Sequence, residues 1–143
     1  MMRSRLGAAL VVLVAALAGC DYEGNSKDDF VSDANAVCEA SGSTVMPALS
    51  ELEDEGLPTE SDLRGFAGDV VLPALQKRLF ELRRLDPPTE DRDTFDDMIA
   101  KMQKGIDDVR ADPQQILDGD PFLPANAEAR AYGLTSCVLS PAP

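Results

Sequence analysis

Five acids crowd one short stretch, Glu90, Asp91, Asp93, Asp96 and Asp97, and carboxylates in such numbers are the raw material of two chemistries. A pair of them can run glycosidase-like hydrolysis, one as acid and the other as nucleophile or base. A ring of them can hold a hard cation through oxygen ligands. The rest of the inventory is thin: with no histidine in the chain, Ser-His and Cys-His catalysis and His-zinc sites are excluded. The five acids also stand at the opening turns of an expected helix, where the helix dipole favours negative charge. That helix-start reading is preferred, so no catalytic residue, no metal ligand and no cofactor is assigned.

Other candidates meet similar objections. Asp21-Tyr22-Glu23-Gly24-Asn25 opens like a calcium loop, but Ser26 stands where glycine is required and Ser32 where the bidentate Glu belongs. Asp118-Gly119-Asp120 reads as a turn followed by an N-cap. Lys77, Arg78, Arg83 and Arg84 form the one basic cluster. They could hold a phosphate or an anionic headgroup, but as end charges they also complement a helix C-terminus, and that structural reading is preferred. Met98 and Met102 could be soft-metal ligands, yet they fall inside an apolar stripe and read as core. Asn126, Arg130 and Tyr132 remain the candidate binding residues: they either lock the last helix or line a small groove.

The elements that position these residues read as helices, with no run of alternating residues to compete. Ser26 with Asp29 starts the first, which carries Phe30, Ala34, Val37, Cys38, Val45, Leu49 and Leu52 on one stripe. The Ser41-Gly42-Ser43-Thr44 patch and Pro47 are expected to interrupt or bend it. Thr59 with Asp62 starts the second, carrying Leu63, Phe66, Ala67, Val70, Leu75, Leu79 and Leu82, with a kink expected at Pro73. Asp86-Pro87-Pro88 stops it. Thr89 is expected to cap the third, whose stripe of Phe95, Met98, Ile99, Met102, Ile106 and Val109 is the clearest in the chain. Asp112-Pro113 and Asp120-Pro121 announce two short helices, the second ending in a Schellman turn at Gly133. The expected fold is all-α, a small antiparallel bundle of three longer helices plus one or two short C-terminal ones.

The N-terminus supplies an address. Arg3 and Arg5 precede a charge-free apolar run that closes in Leu17-Ala18-Gly19-Cys20, the layout of a secretory signal with a small-residue cleavage site. A transmembrane helix is the competing reading, but Leu6 to Cys20 is only about 22 Å long as a helix against a hydrocarbon core of about 30 Å. The tetrapeptide resembles the lipobox of bacterial lipoproteins. That resemblance implies diacylglyceryl transfer to the Cys20 thiol, cleavage after Gly19 and a membrane anchor of acyl chains such as palmitate. The expected organisation is a signal peptide over 1–19, a lipidated tether over 20–25, a helical domain over 26–138 and a disordered tail over 139–143. Loss of Arg3 and Arg5 with the signal takes the net charge from −13 to −15. Such a balance argues against nucleic acid as a partner and against lying flat on an anionic leaflet.

The closing stretch Ala125-Asn126-Ala127-Glu128-Ala129-Arg130-Ala131-Tyr132-Gly133-Leu134-Thr135-Ser136-Cys137 resembles the ending of small secreted or lipid-anchored actinobacterial helical proteins. In these a first-helix cysteine accompanies a terminal A-N-x-x-A-R-x-Y-G-L-x-x-C. The resemblance implies fold and compartment and brings no activity with it. With Cys20 lipidated and the domain exported, Cys38 and Cys137 are expected to form one disulfide. The combined expectation is a lipid-anchored, extracytoplasmic domain of the cell envelope with a binding or scaffolding role and no catalysis. Its partners would be the membrane, through the anchor, and an envelope protein or small ligand. The alternatives are a carboxylate-dependent envelope hydrolase and a cation-binding lipoprotein.

Overall fold

Helix N-caps and apolar stripes lay out the chain much as its spacing predicts. The computed structural model describes residues 25–54 and 56–139; the expected signal segment 1–19, Cys20 and the last four residues lie outside them. Helix α1 (Lys27–Asp54) starts where Ser26 Oγ accepts a bond from the Asp29 backbone N–H and donates one to the Asp29 carboxylate. Helix α2 (Glu60–Phe66) opens with a reciprocal capping box between Thr59 and Asp62. A π-helical turn (Ala67–Val71) joins it to α3 (Leu72–Leu82), and a 3-10 turn (Thr89–Asp91) leads into α4 (Arg92–Ala111). The short α5 (Gln115–Asp118) and α6 (Leu123–Tyr132) follow, then a 3-10 turn at Thr135–Cys137. No described helix is long and apolar enough to cross a membrane.

Three local expectations change. The serine patch and Pro47 do not interrupt α1, because Ser41 and Ser43 turn their hydroxyls back onto the Cys38 and Ala40 carbonyls instead of nucleating a turn. Pro73 falls in the first turn of α3, where a missing N–H costs little, and the preceding π turn replaces the expected kink. Thr89 does not cap the third long helix; it begins the 3-10 turn, and α4 starts three residues later.

The core sits between the first half of α1, α3, α4 and α6. Phe30, Leu79, Leu82, Met98, Met102, Ile106 and Leu134 are among its buried members, with Phe30 edge-on to Phe95 at 4.9 Å. All six apolar positions of the α4 stripe are buried. Gly105 lets α4 meet the Phe122 ring: a Cβ there would lie 2.6 Å from one ring carbon and 2.9 Å from the Pro121 carbonyl oxygen. Asp112 and Asp120 each accept a bond from the backbone N–H two residues on, as cap-like turns before α5 and α6. Helix α6 ends at Gly133 with φ +100°, where Leu134 N–H reaches the Ala129 carbonyl at 2.8 Å and Gly133 N–H the Arg130 carbonyl, the Schellman pattern.

A Cys38–Cys137 disulfide, with Cα atoms 4.9 Å apart, closes the bundle across 99 residues of sequence. Asn35 reinforces it by receiving Ser136 N–H and donating to the Gly133 carbonyl. Leu139, the first residue of the expected tail, is held by Asn126 through both its N–H and its carbonyl, each at 2.7 Å.

Candidate functional site

The sequence-predicted residues separate into structural locks. Asn126 is buried and spends its amide on the Leu139 backbone. Tyr132 donates its hydroxyl to Asp91 at 2.7 Å, packs edge-on to Phe30 and receives Lys27 over its ring at 4.2 Å. Desolvation, then the Asp91 carboxylate beside it, raises the phenol above its ordinary value. Arg130 is exposed and makes no ion pair among the described residues. Asn126 and Tyr132 thus lock the last helix to the chain end and to the start of α4; the three do not converge on one cavity.

The acidic run disperses as well. Asp91 serves Tyr132 and Lys27, while Asp93 and Asp96 are exposed on α4. Asp97 faces Glu128 of α6 across an open groove of about 420 Å³, and Lys101 bridges the two, 2.7 Å from Asp97. That hydrogen bond holds the Asp97 carboxyl below the usual range, and its two acidic partners raise Lys101. An acid catalyst needs the opposite shift. Among the described residues no three acids or cysteines gather as a metal site.

The basic cluster dissolves into separate roles, and one of its members was underrated. Arg83 bonds Gln103, and Arg84 lies 3.4 Å from Glu81 and over the Phe80 ring. Arg78 turns inward and is only 5 % exposed. Its Nε donates to Ser41 Oγ and its Nη2 to the Cys38 carbonyl at 3.1 Å, while Ser41 Oγ donates to that same carbonyl. Nη1 is buried with no partner among the described residues. Among the described residues no carboxylate pairs with this guanidinium, and desolvation pushes its pKa down to about 10, so it remains a cation at neutral pH.

Arg78 lines a groove of about 560 Å³ between the middle of α1 and the π turn and α3. Val37, Ala40 and Thr44 form one wall, Val70, Pro73 and Ala74 the other. Lys77, Asp69 and Glu81 supply its charged edge. The groove lies where α1 continues uninterrupted past its serine patch beside the π turn and the first turns of α3. Periodicity could not announce it: Arg78 shares a sequence cluster with exposed bases. The available signal was register, since Arg78 falls between Leu75, Leu79 and Leu82 on the inward side of α3.

No family model, no curated protein and no solved structure matches this chain. The functional reading therefore rests on its own residues.

Proposed function

We propose that the chain is a lipid-anchored, extracytoplasmic helical domain that binds a ligand in the cell envelope, with the α1/α3 groove as its site. The observation that carries the reading is the Cys38–Cys137 bridge, because disulfides persist in oxidising compartments and are rare elsewhere. Lipidation of Cys20 would consume the one remaining thiol, and export through the Leu17-Ala18-Gly19-Cys20 signal accounts for both. A non-catalytic role is supported by the Asp97–Lys101–Glu128 bridge, in which one lysine ties up the acids that face each other from α4 and α6.

Mass spectrometry of the membrane-extracted protein tests the anchor. The expected N-terminal residue is Cys20 carrying a diacylglyceryl group, and Cys20→Ser is expected to abolish both that mass and the processed form. A retained segment 1–19, or a processed chain with an unmodified Cys20 thiol, overturns the anchor.

A further inference from the structure

A buried cation without a counter-ion at an apolar groove is an incomplete site. Charges removed from water are ordinarily paired or coordinated, because the desolvation cost of an isolated ion is several kcal/mol or more. Arg78 has five N–H donors in a planar fork, of which the structure uses Nε and one Nη2 position; both N–H groups of Nη1 are free and buried. The walls beside it are aliphatic, from Val37, Ala40, Val70, Pro73 and Ala74. The volume of about 560 Å³ lies within the ordinary range for small-molecule sites.

We infer that the α1/α3 groove takes an amphiphile with a single carboxylate head and an unbranched apolar body, the head pairing with Nη1 of Arg78 and the body lying along the aliphatic walls. The inference rests on the binding reading above and is independent of the anchor. A planar carboxylate matches the geometry of a guanidinium. A phosphate monoester brings more charge and more oxygens than the groove can satisfy, since beyond Arg78 the one base lining it is Lys77, and Asp69 and Glu81 lie on the same wall. Glu81 is engaged by Arg84, so Arg78, Lys77 and Asp69 leave the lining with one net positive charge, which a single carboxylate balances. Nη1 is closed to bulk water, so the head reaches it only when a neighbouring side chain moves aside.

The test uses the full processed chain in phosphatidylcholine nanodiscs, photolabelled with a diazirine derivative of dodecanoate and digested for peptide mapping. Labelling is expected in the Val37–Ala48 and Asp69–Glu81 stretches, competed by dodecanoate and not by dodecanol, acetate or inorganic phosphate. Arg78→Met is expected to reduce it at least tenfold and Arg78→Lys to restore part of it. Ala40→Trp, which fills the groove from an exposed position without touching the interior, is expected to abolish labelling with the circular-dichroism spectrum unchanged. Equal competition by dodecanol overturns the carboxylate assignment, and competition by acetate or phosphate alone overturns the apolar one. Labelling that survives both Arg78→Met and Ala40→Trp overturns the site. Groove labelling on a chain whose Cys20 proves unmodified would sink the anchor and leave this inference standing; absent labelling on a lipidated chain does the reverse.

Discussion

The two halves of α1 make an instructive contrast. From Lys27 to Ser41 the inner face of the helix is fastened: Phe30, Ala34 and Cys38 are fully buried, the disulfide ties it to Cys137, and Asn35 bonds Gly133 and Ser136. From Gly42 to Asp54 no residue is buried, and Val45, Leu49 and Leu52 are only partly covered. The neighbour of this outer half is similar: α2 has no buried residue, Met46 is 61 % exposed and Leu57 fully so. The same amphipathic pattern thus pays out differently along one helix, because α4 and α6 are present at one end and absent at the other. Arg78 sits at the boundary, where packing gives way to the groove.

The largest effect expected is at the fastened end. Loop-closure entropy for about 100 residues sets an upper figure of about 4.7 kcal/mol for the Cys38–Cys137 bridge, which native strain commonly reduces. Denaturant titration of the oxidised protein against the Cys38→Ala/Cys137→Ala variant measures it. A difference below about 1 kcal/mol would mean that the packed half does not depend on the bridge, and the contrast would then rest on α4 and α6 alone.

Gly105→Ala probes those helices. Alanine favours a helix interior over glycine by about 1 kcal/mol, but here the added methyl meets the Phe122 ring and the Pro121 carbonyl. The net expectation is a loss of about 1–3 kcal/mol, read by the same titration. A stabilised variant would show that α4 and the Phe122 turn can move apart freely.

Much of this was legible in the residues. The caps at Ser26, Thr59 and Gly133, the α4 stripe and the cysteine pairing follow from local chemistry and elimination, and each is realised. What periodicity could not supply was the third dimension. It treated Val45 and Leu49 as equals of Phe30 and Ala34, because a stripe records that a face is apolar and not whether a partner covers it. It placed Arg78 among end charges, since charge clustering in sequence carries no information about which member points inward. Gly105 went unremarked inside a clear helix, although an isolated glycine there signals either a cost or a close approach. The candidate trio of Asn126, Arg130 and Tyr132 shared a helix without sharing a direction.

The smallest effect expected lies at the outer end of α1, and it sharpens the contrast most directly when measured beside a core position. Ile106 is fully buried, so Ile106→Ala combines lost transfer energy with a cavity and is expected to cost about 2–5 kcal/mol. Leu49 is only partly covered, so Leu49→Ala leaves no closed cavity and is expected to cost less, about 1 kcal/mol. The backbone there is already weakened, because Pro47 removes one ladder donor from the helix interior. Hydrogen exchange then gives the finer reading: amides over 48–53 are expected to exchange through local opening, well ahead of those over 98–109, which should wait for global unfolding. If the dodecanoate inference holds, saturating ligand slows the outer amides and leaves the inner ones of α1 unchanged, since Thr44 and Ala48 are the groove residues of α1 that lie beyond the half fastened by the bridge. Equal protection of both halves in the free protein would erase the contrast and, with it, the argument that the groove sits where the fold runs out of partners.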